Sequence, residues 1–219
     1  AGSVYAAGIA TGNIRDVNVR GRAGALDVVA RGNTVDEARI EYAVVNGLTE
    51  RQAFVVAARL DTVRAAGFAL DSVDARVAYQ AERGTLDVVL SQEDSIDYRA
   101  RANFRLALDE NELLFEQLAL RFGRTVWESQ RPGAVRWSSR GVFVDSLDLQ
   151  AGPERRIFVH GLVPTEGEAN VEATIQNFQV ADALALLQSD VPVQGLLTLD
   201  ARMTGTAASP RIVGAAGLV

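Results

Sequence analysis

Few side chains in this sequence are suited to catalysis. The chain has one histidine, no cysteine and no lysine, because all 22 basic residues are arginine. This composition excludes a thiolate nucleophile, a Schiff-base lysine and the lysine of a phosphate-binding loop. The lone histidine, His160, has no serine in a G-x-S-x-G elbow to activate. Alternation places it on the polar face of a predicted strand, so we expect a solvent-facing histidine without a catalytic role.

Acidic residues occur in pairs and in a repeated motif. A pair such as Glu110 and Glu112 has nothing nearby that would drive the two pKa values apart, as glycoside hydrolysis requires. The motif Asp-Ser-apolar-Asp occurs at residues 71–74, 94–97 and 145–148. An apolar residue interrupts each copy, which argues against a loop of calcium ligands. We expect each copy to open a strand with its polar side chains in water, and we predict no enzyme, metal site or cofactor.

Composition and charge restrict the class of protein. The 219 residues are 48% hydrophobic and 23% charged, which is enough apolar material for a sizeable interior. A net charge of -6 without an arginine cluster predicts no nucleic-acid partner. No stretch approaches the roughly 20 apolar residues of a membrane helix. The chain begins without methionine and ends within a predicted strand, so we interpret residues 1–219 as a single elongated segment of a larger protein.

Strict alternation of apolar and polar residues is the dominant pattern. It is clearest at residues 96–108, and similar runs recur in roughly a dozen segments separated by turn residues. Because successive side chains of a strand point to opposite faces, each run has one apolar and one polar face. The pattern predicts an all-β fold, a long antiparallel sheet with one solvated face. Helical periodicity is confined to residues 180–188 and 61–66, so we expect one or two short helices.

Two tryptophans flank a predicted turn. Trp127 and Trp137 are equidistant from Pro132, which lies in the turn sequence Arg-Pro-Gly. A hairpin centred on this proline would place the two indoles opposite each other on neighbouring strands. We therefore expect a cross-strand tryptophan pair.

The apolar side of the predicted sheet needs a covering layer. A sheet buries its apolar face against a second layer, yet the sequence supplies neither enough helix nor a separately patterned second sheet. Either the sheet folds on itself or its apolar face forms a groove that holds something apolar. The residues expected to line this lipid-binding groove are Ile40, Tyr42, Phe54, Val56, Val77, Tyr79, Leu86, Val88, Ile96, Tyr98, Phe104 and Leu106.

From about Leu86 onward, the chain resembles a known family. The resemblance is to the translocation and assembly module inner-membrane subunit family and its AsmA-like relatives. The segments that carry it most clearly are ALALL at 183–187, VPVQGLLTLD at 191–200 and GTAASPRIVG at 205–214. Segments that resemble the family's repeating phrase are TVW at 125–127, VRW at 135–137, GVFVDSLDL at 141–149 and VHG at 159–161.

The resemblance implies a fold, a location and partners. It implies a curved sheet folded into a U-shaped groove, or β-taco, in the periplasm of a diderm bacterium. The parent protein would be anchored to the inner membrane, and its groove would shelter phospholipid acyl chains on their way to the outer membrane. It also implies an Omp85-type barrel in the outer membrane as a partner. The family's membrane anchor and terminal domain are not recognisable in this sequence.

Three functions remain open at this point. We expect non-enzymatic lipid conduction, in which a charge in the groove, such as Phe104→Asp, blocks lipid loading. The alternative is a structural β-solenoid or passenger-like stalk with a self-filled core, which would require parallel strands at a short fixed period. The third is a hydrolytic or sugar-active β enzyme, which would require a convergent group of polar residues inside the concavity.

Overall fold

The fold is all-β. Within the described residues, the computed structural model contains fifteen antiparallel strands and one short helix. None of the described residues belongs to a helix long and apolar enough to cross a membrane. The described residues are 2–13, 16–47, 49, 52–65, 67–92, 95–186, 188 and 192–219.

The chain divides into two compact units, which we describe separately. Unit 1 is Ala1–Asn103 and unit 2 is Phe104–Val219. The prediction of a single elongated segment over residues 1–219 stays a prediction.

Unit 1 is an antiparallel meander in which each strand from β1 to β6 pairs with the next along the chain. β7 follows as the next strand, and its last two residues fall in unit 2. The strands are β1 (Ser3–Asn13), β2 (Asp16–Ala30), β3 (Asn33–Val45), β4 (Ala53–Ala65), β5 (Phe68–Gln80), β6 (Arg83–Gln92) and β7 (Ile96–Arg105).

The turn between β5 and β6 is formed by Ala81 and Glu82. Their φ angles of 48° and 69° are both positive, which defines the type I′ turn of a two-residue hairpin. The dipeptide Arg83-Gly84 is one of the turn sequences that separate the alternating runs, and a turn at this position is wrong because both residues lie in β6. The pairing that keeps the apolar residues of both strands on one face places the turn two residues earlier, and Gly84 lies inside β6 opposite Tyr79.

Unit 2 contains the remaining strands and the helix. Its strands pair in the order β8-β10-β11-β12-β13-β14-β15, and β9 pairs with both β8 and β11. The elements are β8 (Asn111–Phe122), β9 (Thr125–Ser129), β10 (Gly133–Ser138), β11 (Gly141–Gln150), β12 (Arg156–Pro164), β13 (Asn170–Gln179), α1 (Val180–Leu186), β14 (Leu196–Thr206) and β15 (Ser209–Leu218).

These elements confirm the predicted fold class and correct one helix. The all-β antiparallel architecture is confirmed, and the helix predicted at residues 180–188 is present as α1. The helix predicted at residues 61–66 is wrong, because residues up to Ala65 extend β4 and Ala66 lies outside the described residues. A short apolar run cannot be assigned to helix or strand from periodicity alone.

β9 and β10 are two segments of one interrupted strand, and they do not form a hairpin. Both lie between β8 and β11 and are antiparallel to them. The interruption ends at Pro132, which has no N–H to donate to a strand ladder. The predicted tryptophan pair is therefore wrong: Trp127 lies opposite Leu120, and Trp137 lies opposite Val142.

The Asp-Ser-apolar-Asp motif marks irregular positions within strands. Residues 145–148 lie inside β11, where a register shift against β12 accompanies a φ of 55° at Ser146. Residues 71–74 lie inside β5, where the pairing with β4 skips one position. The expectation that these copies open strands is therefore wrong. In the third copy, Asp94 lies outside the described residues and β7 begins at Ile96.

The buried core of unit 2 lies around Trp127. This side chain is 0% exposed, and its ring centroid is 5.1 Å from that of Phe178 on β13. Phe122 and Leu149 are also buried, and α1 follows β13 directly and contributes the buried Asp182. Unit 2 thus encloses a small aromatic core next to its helix.

Candidate functional site

The strand register of unit 1 separates its residues onto two faces. Over the central part of β1 to β6, every residue on one face is Gly, Ala, Val, Leu, Ile, Phe or Tyr, and we call this surface the apolar face. On β1 to β3 it consists of Val4, Ala6, Gly8, Ala10, Gly12, Val17, Val19, Gly21, Ala23, Ala25, Ala38, Ile40, Tyr42 and Val44. On β4 to β6 it consists of Phe54, Val56, Ala58, Leu60, Val73, Ala75, Val77, Tyr79, Gly84, Leu86, Val88 and Leu90.

Most of the predicted groove residues lie together on this face. The register aligns residues of β3 to β6 directly across from one another, as in the row from Tyr42 through Val56 and Val77 to Leu86. The eight predicted residues on the apolar face are Ile40, Tyr42, Phe54, Val56, Val77, Tyr79, Leu86 and Val88.

Two further predicted residues lie on β7. The Tyr98 hydroxyl donates a 3.0 Å hydrogen bond to Gln92 Oε1. Arg101 forms a 3.3 Å ion pair with Asp87, which lies on the opposite, polar face of β6. Because side chains alternate along a strand, Ile96 and Tyr98 lie on the side of the apolar face.

The last two predicted residues lie at the end of β7. Phe104 is its penultimate residue, whereas Leu106 follows the strand and is 43% exposed. Alternation predicted that the strand continues to residue 108, which is wrong. Asp109 accepts a 3.0 Å hydrogen bond from the backbone N–H of Glu110, a local contact that favours a turn over a strand.

The apolar face is accessible to solvent. From β3 to β6 most of its side chains are half-buried, and on β1 Val4 is 75% exposed. All regular secondary structure in the described residues of unit 1 is strand, so no helix of this unit covers the face. The buried hydrophobic residues described in unit 1 are few, namely Ala38, Val63, Ile96 and Ala102. The face therefore offers extended apolar surface without a covering helix.

One row of residues across the apolar face, which we call the furrow, has small side chains at most of its positions. The row from Ala23 through Ile40, Ala58 and Ala75 to Val88 contains three alanines. The neighbouring rows lie about 7 Å away on either side, two residues along each strand. They carry larger side chains, which are Leu60, Val73 and Leu90 on one side and Tyr42, Val56, Val77 and Leu86 on the other.

Aromatic side chains pack closely at one edge of the furrow. The rings of Phe54 and Tyr79 stack with centroids 5.0 Å apart. The Tyr42 hydroxyl lies over Gly21, where a Cβ atom would approach it to 2.7 Å. A glycine is therefore required on β2 for this tyrosine to lie flat on the sheet.

The opposite face of unit 1 is polar. Its arginines and carboxylates form ion pairs within and between strands, and in most of these pairs both side chains are substantially exposed. The exception is Arg99–Asp97 at 3.3 Å on β7, in which Asp97 is only 6% exposed. Exposed pairs of this kind contribute little stability each, but they keep this face hydrated. The other pairs are Arg22–Glu41 at 3.0 Å, Arg39–Asp61 at 3.5 Å, Arg59–Asp61 at 3.3 Å, Arg59–Asp74 at 3.3 Å and Arg101–Asp87 at 3.3 Å, together with Arg39–Glu37.

Unit 2 holds two buried carboxylates that sequence reasoning missed. Asp148, in one of the motif copies, is 6% exposed and accepts two 2.8 Å hydrogen bonds from Arg156. These bonds lower the pKa of Asp148, against the opposing effect of burial, and raise the pKa of Arg156. Nothing in the sequence pattern distinguished this aspartate from the water-facing ones.

Asp182 on α1 is the second buried carboxylate. Burial raises its pKa, while the Trp127 indole N–H and the positive charge of Arg155 act in the opposite direction. In the described part of the chain, neither Trp127 Nε1 nor Asp182 Oδ2 has a partner in hydrogen-bonding geometry. The helix thus carries a poorly satisfied carboxyl group into the core of unit 2.

His160 lies in a different environment from the one expected. It is half-buried, and its ring meets that of Phe143 edge-on with centroids 5.6 Å apart. Its Nδ1 atom is buried without a hydrogen-bond partner among the described residues. The prediction of a solvent-facing histidine is therefore wrong. Across the described ranges, no group of three or more His, Asp or Glu side chains is arranged to hold a metal ion.

Comparisons with known proteins add no relatives. No protein-family profile, curated protein or solved structure matches this chain. The fold and the site therefore define only a class, an all-β protein of antiparallel strands in which one face of unit 1 is continuously apolar.

Proposed function

We propose that the apolar face of unit 1 binds acyl chains and that the protein is a non-enzymatic lipid-conducting segment. One observation carries this proposal: over the central part of six neighbouring strands, one face contains only apolar residue types and remains accessible to solvent. Extended apolar surfaces on soluble proteins are interaction or ligand sites. The polar face of the same strands carries the charges that keep the sheet hydrated.

The energetics favour a continuous apolar path for a lipid. At about 0.8 kcal/mol per methylene, transfer of a sixteen-carbon chain into water costs on the order of 13 kcal/mol. A furrow that runs across the strands, such as the alanine row through Ala58 and Ala75, would remove much of this cost. An acyl chain lying in it would contact one residue of each strand in turn.

The cellular setting of this proposal rests on the sequence resemblance. In the parent protein, the strands would form a U-shaped groove, a β-taco, in the periplasm and would be anchored to the inner membrane. The groove would pass phospholipids towards the outer membrane and support outer-membrane biogenesis. An Omp85-type barrel would be its outer-membrane partner.

The stalk alternative receives less support. A β-solenoid is built from parallel strands that repeat at a short period. The described strands are antiparallel, and unit 1 leaves its apolar side chains half-exposed instead of filling an interior with them.

The test compares two alanines that face opposite ways. Ala58 lies on the apolar face between Ile40 and Ala75, whereas Ala78 lies on the polar face between Val55 and Thr85. Ala58→Asp should reduce binding of a fluorescently labelled phospholipid at least about 10-fold, because it places a charge in the furrow. Ala78→Asp is the matched control and should bind as the wild type does.

Lipid that co-purifies with the protein provides a second measurement. Mass spectrometry should find phospholipid in the wild type and the Ala78→Asp variant, with much less in Ala58→Asp. The proposal is wrong if the wild type carries no lipid and does not bind labelled phospholipid, or if the two alanine variants bind it equally.

A further inference from the structure

The polar face of unit 1 contains a depression with an apolar floor. It lies over β1 to β5 and has a volume of about 840 Å³. Its floor includes Ala43 and Ala57, which are small, together with Ile9 and Val55, which are 56% and 48% exposed. This is an apolar patch on a face that is otherwise covered by ion pairs.

Two arginines without carboxylate partners line this depression. Arg20 lies on β2 and Arg76 on β5, three strand spacings apart and offset by two residues along the strands, which separates their backbones by about 16 Å. Within the described residues, neither makes an ion pair or a side-chain hydrogen bond. Arg76 lies opposite Asp87 in the register, but Asp87 pairs with Arg101.

The other arginines that unit 1 presents on this face mostly have partners. Arg22 and Glu41 also line the depression and form a 3.0 Å ion pair with each other, whereas Arg59 lies 3.3 Å from both Asp61 and Asp74. The depression therefore combines two positive charges that have no carboxylate partner with an apolar floor. The charge is local, because the chain as a whole has a net charge of -6.

We propose that this depression binds an amphipathic anion, a phosphate monoester that carries an alkyl chain. A guanidinium group matches a phosphate with two parallel hydrogen bonds, which favours arginine for this type of ligand. The alkyl chain would cover the alanine floor between the two arginines. This site is distinct from the proposed lipid-binding face, because Ala43 and Ala57 point to the other side of the sheet from Ala58.

The experiment measures binding of octyl phosphate by titration calorimetry, below its micelle concentration and at low salt. All variants are made in the Ala58→Asp background, so that binding to the apolar face does not contribute. The double variant Arg20→Gln/Arg76→Gln should weaken binding at least about 10-fold. The matched control, Arg39→Gln/Arg59→Gln, removes the same charge from the same face but from paired arginines, and should change binding less than about two-fold.

Two further ligands separate the parts of the site. Inorganic phosphate lacks the alkyl chain and octyl glucoside lacks the charge, so each should bind at least about 10-fold more weakly than octyl phosphate. The proposal is overturned if inorganic phosphate binds as tightly, if the two double variants lose affinity equally, or if Ala58→Asp alone abolishes binding. Circular dichroism of each variant confirms that the strands are retained. Failure here would leave the lipid-binding proposal for the apolar face untouched, since that proposal is tested with Ala58→Asp against Ala78→Asp.

Discussion

Arg156 binds both carboxylate oxygens of Asp148 at 2.8 Å, next to the point where the strand formed by β9 and β10 is interrupted. Arg131, within the interruption, lies 3.8 Å from the same carboxylate. The backbone N–H of Gln130 donates a 3.1 Å hydrogen bond to the backbone oxygen of Asp148. One aspartate on β11 thus connects the interruption on one side with β12 on the other.

We expect this ion pair to make unit 2 sensitive to acid. The pKa of Asp148 is lowered chiefly by the hydrogen bonds from Arg156, so its contribution to stability is complete above the pKa of the unfolded chain and is lost as the pH falls through the folded value. Asp148→Asn should lower the free energy of unfolding by about 1–3 kcal/mol at pH 7. Urea denaturation at pH 7 and pH 3 measures this, and the difference from wild type should shrink at pH 3.

A control variant separates this pair from the exposed ones. Arg39→Gln removes an arginine of the polar face and should change stability by less than about 1 kcal/mol. A deficit of Asp148→Asn that is equally large at pH 3 and pH 7 would contradict the role assigned to its charge.

Asp182 should have the opposite effect on stability. Burial raises its pKa above the usual 3.8, so the folded state favours the protonated form and loses stability as the pH rises through the raised value. Asp182→Asn should therefore stabilise the protein more at pH 8 than at pH 4, as measured by thermal unfolding. Asp200→Asn, at an exposed carboxylate, is the control and should show no such trend. An identical shift at both pH values would count against a charge effect.

Substitutions in the turn between β5 and β6 should increase the stability of the protein. Ala81 and Glu82 both adopt the left-handed region, which costs residues with a Cβ atom roughly 1 kcal/mol each. Replacing them with Asn-Gly, the preferred type I′ sequence, should raise the unfolding free energy by about 1–2 kcal/mol. Glu82→Ala removes the charge but keeps the Cβ atom, so it should give no comparable gain. Denaturant midpoints distinguish these outcomes.

The two tryptophans should report separate environments. Trp127 is 0% exposed beside Phe178, whereas Trp137 is only half-buried. With Trp137→Phe, the remaining fluorescence should be blue-shifted and resistant to acrylamide, and with Trp127→Phe it should be red-shifted and quenched. Far-ultraviolet circular dichroism should show no exciton signal from paired indoles. An exciton signal in the wild type that disappears in both variants would instead support the tryptophan pair predicted from the sequence.

Alternation predicted the part of the site that depends on side-chain direction. Tyr42, Val56, Val77 and Leu86 fall on one face, as predicted. Alternation fixes the direction of side chains within each strand, so this prediction did not require knowledge of which strands pair. Alternation could not reveal where a strand ends, since Leu106 continues the pattern but lies beyond β7. A local hydrogen bond at Asp109 competes with the strand there, and such competition depends on geometry that residue order alone does not contain.

The remaining errors come from backbone irregularities. Pro132 and its neighbours were interpreted as a hairpin turn, because a proline in a turn sequence fits either a reversal or a break. Ser146 takes up a left-handed conformation inside a strand, which residue type does not predict. The depression near Arg20 and Arg76 was also missed, because it requires knowing that four strands align these residues around small side chains.

The nearest-neighbour pairing of unit 1 has a consequence for folding kinetics. From β1 to β6, each strand meets its partner within a single hairpin connection, so the native pairings are separated by short lengths of chain. Low contact order of this kind favours rapid folding compared with sheets assembled from distant strands. Folding can begin with one hairpin, and the remaining strands can then pair one at a time, as in repeat proteins that fold outward from a nucleus. Deletion of β1 should accordingly leave the refolding rate of β3 to β6 close to its original value.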